Sequence, residues 1–351
     1  MTRTPTVSVV VPCYNYGRFL PACIQSIVAQ PDVEVRILII DDCSTDDSGE
    51  VGRALAQRHP QVQFRRHEQN KGHIATYNEG LLEWADGDYV TLLSADDELT
   101  EGSLARSVAI MEQHPRVGMV YGGIEEFGAA IEPKVSSRGR RGTIVYDGHR
   151  WLRKRAYEAV NVVPTPGTTL RTSVQRAVGG YDPRLTHAGD FEMWLRVAAV
   201  ADIGYVRAVP QGRYRLHDAS MSYGVYQDRF ADIQQRKLVF DAIFARYPDQ
   251  MAAAGIEPDA VYSRMASQAL WWACRMYEKS AQPDAAELQR CIEFASATFP
   301  QFARLRAYRA LQRRRRMGAA LTHRTQIFIA TAVVNRVRNR LWWSRWRRFG
   351  G

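Results

Sequence analysis

Two apolar runs in this chain each end in a pair of aspartates. Val35-Arg36-Ile37-Leu38-Ile39-Ile40 runs into Asp41-Asp42, and Tyr89-Val90-Thr91-Leu92-Leu93 runs through Ser94-Ala95 into Asp96-Asp97. A buried strand that ends in carboxylates places charge at the carboxyl edge of a sheet, where open α/β folds bind ligands. Four acids gathered there repel one another unless they share a task. The simplest task is holding a cation and a polar, diphosphate-bearing ligand.

The surrounding pattern alternates strands and helices. Val7–Val11 reads as a strand, and Leu20, Ile24, Ile27 and Val28 recur at helical spacing. Ser44-Thr45-Asp46-Asp47 caps a helix after the second strand. Val62–Arg66 reads as a short strand, His73–Ala85 as a helix and Tyr89–Leu93 as a long strand. This βαβ rhythm predicts a parallel sheet with right-handed crossovers. Helix Glu101–His114 and strand Val117–Tyr121 follow. Residues 128–149, rich in Gly, Arg, Ser and Pro, read as a mobile loop. From Arg171 a turn-rich piece leads to helix Phe191–Val200. Ile203–Val206 and Gly212–Leu216 read as closing strands, and the pattern is helical from Tyr226 onward.

At 351 residues the chain is long enough for two structural units, expected at 1–225 and 226–351. Its net charge of +10 is unevenly spread: residues 301–351 hold 14 arginines and no Asp, Glu or Lys. That leaves 33 Lys and Arg against 37 acids in residues 1–300, so the body is mildly acidic and the tail strongly basic. Five cysteines without a CxxC spacing suit reduced thiols in a cytosolic compartment. The start lacks a basic segment followed by an apolar one, which argues against a signal peptide. No apolar run approaches the ~18 residues of a spanning helix. The expected location is cytoplasmic, with peripheral attachment to the inner face of the membrane as a further expectation.

Four motifs in order carry a resemblance. They are Val9-Val10-Val11-Pro12-Cys13-Tyr14-Asn15, Ile39-Ile40-Asp41-Asp42-Cys43-Ser44-Thr45-Asp46, Asn70-Lys71-Gly72 with Asn78-Glu79-Gly80, and Leu93-Ser94-Ala95-Asp96-Asp97. Together they resemble the ordered signatures of family 2 glycosyltransferases, over about residues 5–225. The resemblance implies an α/β GT-A fold, Rossmann-like with a mostly parallel sheet. Residues 1–225 would form the catalytic domain, and 226–351 a helical C-terminal extension with an Arg/Trp-rich tail.

The resemblance also implies site residues. Asp41 would accept a hydrogen bond from the nucleotide base, most often uracil. Pro12, Tyr14 and Asn15 would line the base and ribose, and Lys71 would meet the base or the phosphates. Ser94-Ala95-Asp96 occupies the Asp-x-Asp position, so Asp96 would be the direct metal ligand, with Ser94 replacing the first acid. Hard oxygen ligands favour Mg²⁺ or Mn²⁺. In His187-Ala188-Gly189-Asp190-Phe191-Glu192, Asp190 would be the general base, with Gly189 replacing an acid and Glu192 in reserve. His217, in Tyr214-Arg215-Leu216-His217, would touch the diphosphate or complete the metal shell. Arg171 and the turn Pro164–Thr169 are placed near the acceptor.

The implied reaction is inverting transfer from a nucleotide sugar, UDP-linked in this reading, to a glycan or lipid-linked acceptor of a bacterial surface polymer. The alternatives are a noncatalytic sugar-nucleotide or glycan-binding relative, suggested by Ser94 and Gly189, and an RNA-binding scaffold driven by the tail. No specific nucleic-acid motif accompanies that tail. Its Ile327, Ala330, Val334, Val337 and Leu341 fall on one helical stripe beside Arg and Trp, which suits an anionic bilayer. Packing of that stripe onto the rest of the protein is the competing reading.

Overall fold

A computed structural model describes residues 3–128, 131–135, 140–217, 229–325 and 328–350. The chain forms two compact units. The first comprises residues 1–152, 161–224 and 345–351; the second comprises 153–160 and 225–344.

The first unit is built on one sheet. Its strands are β1 (Thr6–Cys13), β2 (Glu34–Asp41), β3 (Val62–Arg66), β4 (Tyr89–Leu92), β5 (Glu98–Leu99), β6 (Val117–Gly128), β7 (Ile131–Val135), β8 (Gly142–Tyr146), β9 (Thr169–Arg171) and β10 (Asp202–Arg215). The spatial order is β3-β2-β1-β4-β9-β6-β10-β5, with β7 beside β6 and β8 beside β10. The longer pairings, β1 with β2 and β6 with β10, are parallel, as are β2 with β3 and β1 with β4. Short β9 is antiparallel to both β4 and β6 and joins the two parallel stretches. The mixed α/β architecture with a mostly parallel sheet agrees with the sequence reading.

Both faces of the sheet are covered, as parallel strands require. In β1, Val7, Ser8, Val9, Val10 and Val11 are all wholly buried. Helices α1 (Leu20–Val28), α2 (Ser48–Arg58), α3 (His73–Asn78, continuing as a π-turn through Trp84) and α4 (Ser103–Gln113) are the crossovers. Gly80 allows one of them close approach: a Cβ there would sit 2.2 Å from Val10 Cγ1.

Several expectations change. The loop read over 128–149 contains β7, β8 and the start of α5 (Gly148–Glu158), while residues 129–130 and 136–139 lie outside the described residues. Loop-forming Gly and Arg hid two short strands: β7, which folds back on neighbouring β6, and β8, whose partner β10 lies far along the chain. The two closing strands are one strand, β10, with register shifts between Val206 and Gly212. The turn-rich stretch after Arg171 contains α6 (Thr172–Val178) before α7 (Gly189–Val200).

The second unit is helical. Helix Pro258–Lys279 packs against Ala285–Thr298 and Arg306–Met317. The arginine run is not uniformly solvated. Arg314 is buried, pairs with Glu278 at 2.7 Å and lies over the Phe328 ring, whereas Arg313, Arg315 and Arg316 are exposed. The last helix spans Ile329–Phe349. In the first unit, the Tyr121 and Tyr146 hydroxyls donate to the carbonyls of Gly350 and Phe349. Among the described residues no helix is long and apolar enough to cross a membrane.

Candidate active site

The carboxyl ends of β1, β2 and β4 lie side by side, since β1 sits between β2 and β4. Backbone bonds continue the pairing past the strands: Asp42 N donates to Cys13 O at 2.9 Å, and Ala95 N to Pro12 O at 3.3 Å. Each strand therefore releases its chain into the same edge.

At the β2 end, the Asp41 side chain is wholly buried. Its Oδ1 accepts Ser44 N at 3.0 Å. Its Oδ2 has no hydrogen-bond partner among the described residues and lies 3.4 Å from Arg66 Nε. Such an orphaned buried acceptor calls for a donor. Asn15 N reaches Ser44 Oγ at 2.9 Å, so Asn15 and Asp41 are joined through one serine. Asn15 adopts a left-handed backbone, with φ 58°. Its Oδ1 is occupied by Thr45 N and Oγ1 at 2.8 and 3.2 Å, so this side chain shapes the turn. Tyr14 beside it is 46% exposed.

Asp42 binds the next segment. Its carboxylate accepts Lys71 N and Gly72 N, both at 2.8 Å, and lies 2.7 Å from His67 Nδ1. Lys71 Nζ pairs with Glu79 Oε2 at 3.1 Å instead of standing free. Arg65 and His67 also bond Glu79. Despite partial burial, these donors pull the Glu79 carboxyl down to about 2.

At the β4 end, Asp96 Oδ2 lies 3.0 Å from His217 Nε2, which arrives 121 residues later from the end of β10. Tyr16 and Phe19, just past β1, stack on that imidazole with ring centroids 5.4 and 5.0 Å away. His217 Nδ1 is buried without a hydrogen-bond partner among the described residues. Asp97 turns inward and accepts Arg215 N at 2.9 Å. Burial, and then the neighbouring Asp96 charge, push its carboxyl well above the usual range. Arg215 fixes the segment by donating to Asp96 O at 2.8 Å and Glu98 Oε1 at 2.7 Å while lying over Phe19 and Phe127.

Asp190 lies in the first turn of α7, where the helix N-terminus favours a negative charge. Its Oδ2 accepts Thr165 Oγ1 at 2.6 Å, and the Tyr181 hydroxyl also bonds it. Burial raises its carboxyl above the ordinary value; those two bonds, with His73 and His187 nearby, oppose the rise. A Cβ at Gly189 would sit 3.2 Å from the Tyr181 ring, so the glycine lets that tyrosine close on the helix start.

The geometry thus joins Asp96 to His217, and Asn15 to Asp41. Lys71 is tied to Asp42 through its own backbone. Asp190 is bonded instead to Thr165 and Tyr181. Two expectations are corrected. Glu192 cannot act as a reserve base, because it is buried in an ion pair with Arg196 at 2.7 Å. Arg171 does not face an acceptor: it donates to Met111 O and Val117 O and lies over Tyr89. Sequence reasoning missed Tyr16, Phe19, His67 and Tyr181. Of these, Tyr16 and Phe19 had a usable signal, as aromatics just after the Pro12–Asn15 motif. Ser220 and Ser222, the small polar residues after His217, lie outside the described residues.

A divalent ion fits Asp96 and His217: one hard carboxylate and one imidazole nitrogen converge. Among the described residues no group of three or more His, Cys, Asp or Glu gathers to hold a metal alone. The remaining ligands would be diphosphate and water oxygens, the usual arrangement for Mg²⁺.

Comparison with known proteins places these features in a family. The model of "Glycosyl transferase family 2" matches residues 8–170. The chain is 36% identical over 98 residues to the glycosyltransferase GlyG of Streptococcus pneumoniae, covering 28% of this chain and 32% of that one. It is 22% identical over 225 residues to the chondroitin synthase of Escherichia coli, covering 63% and 30%. The chain spans about a fifth to a third of the length of the first curated relatives it matches. In structure it resembles residues 1–349 of S. aureus TarS in complex with UDP-GlcNAc, with a TM-score of 0.61 at 15% identity over 92% of both chains, a likeness of fold.

Proposed function

Residues 8–170 of this chain belong to glycosyl transferase family 2, and from that premise we propose that the protein transfers a sugar from a nucleotide sugar, UDP-linked, to a glycan or lipid-linked acceptor with inversion. The contact of Asp96 with His217 at the carboxyl edge of the sheet carries the proposal. It brings a carboxylate and an imidazole, 121 residues apart in sequence, to one point on that edge, a pair able to share a cation. The UDP-GlcNAc complex of TarS supports a UDP donor, and the chondroitin synthase supports a polysaccharide acceptor.

In this reading Asp41 takes an N–H of the base on its orphaned Oδ2, with Pro12, Tyr14 and Asn15 around base and ribose. Asp96 and His217 would hold Mg²⁺ or Mn²⁺. A bound ion there would supply positive charge to the diphosphate as it leaves. The acceptor oxygen attacks the anomeric carbon as the bond from that carbon to the diphosphate oxygen breaks, and the diphosphate departs with the electron pair. Asp190 receives the acceptor proton. Its carboxyl, raised by burial, is a stronger base than an exposed one. Lys71, its Nζ paired with Glu79 and its amide bound to Asp42, sits in the loop beside the nucleotide. Asp190→Asn is expected to lower transfer by about 10²–10⁴-fold while leaving UDP affinity intact. A variant that transfers sugar at the wild-type rate overturns the assignment and favours a sugar-nucleotide-binding role.

The last helix supplies a membrane surface in the same reading. Val333, Val334, Val337 and Leu341 are 48, 54, 51 and 61% exposed. At about 100° per residue they share one arc of roughly 100°. Exposed Arg340 borders one edge of this arc, and exposed Arg338 and Arg345 the other. Trp346, on the opposite side, is buried. Ile327 lies outside the described residues, as does the Ala330 side chain. An apolar strip between arginines matches an anionic bilayer, each arginine adding ~1 kcal/mol. The protein then works from the cytoplasmic face, within reach of a lipid-linked acceptor. Flotation with anionic vesicles should be lost in the Val337→Asp/Leu341→Asp double variant. Equal flotation of both proteins rules the surface out.

A further inference from the structure

His67 is buried between two acids from different segments. Its Nδ1 lies 2.7 Å from Asp42 Oδ1 and its Nε2 2.9 Å from Glu79 Oε2. Two oxygen acceptors cannot face a ring nitrogen's lone pair without repulsion, so each contact needs a proton. The Glu79 carboxyl, held near 2, does not supply one, so Nε2 donates to it. The second proton lies between Nδ1 and Asp42. The groups facing the ring are therefore Asp42, just past β2, and Glu79 from the π-turn; Lys71 shares Oε2 of Glu79 with His67, and Arg65 from β3 bonds Oε1.

The importance of this bridge lies in what Asp42 does next. Its two oxygens accept the amides of Lys71 and Gly72, and Gly72 has φ +83°, a conformation with little intrinsic stability for most residues. Among the described residues, these two bonds are the loop's backbone tethers to the end of β2. Asp42 also follows Asp41, the proposed base-reading acid.

We infer that His67 is a positioning residue that holds the Asn70–Gly72 loop at the nucleotide edge through a two-proton bridge between Asp42 and Glu79. This rests on the nucleotide-sugar reading above. The geometry carries the role: without the imidazole between them, Asp42 and Glu79 lose their shared donor, and Asp42 holds the loop less firmly.

The test uses the full chain, UDP with Mn²⁺ as the probe, and His67→Gln beside Asp42→Asn. Amide hydrogen exchange reads the loop without reference to function. In His67→Gln, the Lys71 and Gly72 amides should exchange about tenfold faster at fixed pH while β1 and β2 stay protected. UDP should bind about tenfold more weakly. Asp42→Asn, which keeps the shape and one acceptor, should show the same loop release in smaller measure. Unchanged exchange at Lys71 and Gly72 in both variants overturns the bridge. Faster exchange with unchanged UDP affinity overturns its role in nucleotide binding. A wild type that binds no UDP yet shows the protected loop overturns the nucleotide-sugar reading and, with it, this role for His67.

Discussion

The chain spells Asp-Asp at two strand ends, and the second acid meets a different fate at each. Asp42 is met by two backbone amides and an imidazole within 2.8 Å. Asp97 receives one backbone amide at 2.9 Å, beside the charge of Asp96. Burial therefore drives the Asp97 carboxyl well above its usual range. The first acids, Asp41 and Asp96, are alike: each leaves an oxygen to something outside its own turn, Arg66 at 3.4 Å and His217 at 3.0 Å. Within each pair, the proposed function gives the first acid to the ligand, while the second anchors backbone. The number of donors that the fold brings to the second acid decides how strongly it anchors its segment.

The sharpest break of this comparison is to neutralise each acid of the second pair. Asp96→Asn should lower initial rates of transfer by at least about a hundredfold, because it removes ionic ligand charge where diphosphate charge develops. Asp97→Asn, which replaces a carboxyl already disposed to carry a proton, should change rates less than about threefold. Equal losses would erase the division of roles. The second acids are compared next by urea unfolding at neutral pH. Asp42→Asn should cost about 1–3 kcal/mol, because it strands several donors. Asp97→Asn should cost less.

Their pH profiles sharpen the contrast. A carboxyl raised on folding binds its proton more tightly in the native state, so wild-type stability falls as pH climbs from the ordinary Asp value of 3.8 toward the raised one. Asp97→Asn should flatten that slope, and an unchanged slope would show that Asp97 is not its source. Asp190 provides the smallest effect. Its carboxyl is also raised, and the Thr165 hydroxyl opposes the rise. Thr165→Ala should therefore move the acidic limb of the pH–rate profile to higher pH, by less than about one unit. A shift to lower pH would reverse the assigned role of the Thr165 bond.

Much of the first unit is legible in the sequence because its signals are local. Val7–Val11 and Val35–Ile40 are apolar on both faces, which only a covered, parallel strand explains. Local pattern fails where strands are short and their partners distant. β9 is three residues long, and its register on β4 and β6 depends on residues 50 to 80 positions earlier. Glu192 illustrates the same limit. An acid one turn into a helix reads as a candidate base until Arg196 is seen closing on it in the core. In the tail, the run Arg313–Arg316 reads as a solvated block, yet the helix turns Arg314 inward onto Glu278.

By itself, the sequence determined the alternation of strand and helix, the carboxylates at the sheet edge, and the match of residues 8–170 to the glycosyl transferase family 2 model. Periodicity and strand-end chemistry are written in neighbouring residues. The tertiary structure alone decided which acids keep an oxygen for a group beyond their own turn, which are anchored, and that His67 lies between Asp42 and Glu79. Those outcomes depend on which donors and charges arrive through space. That arrival sets the desolvation and pairing of each carboxyl, and with them its charge and its use.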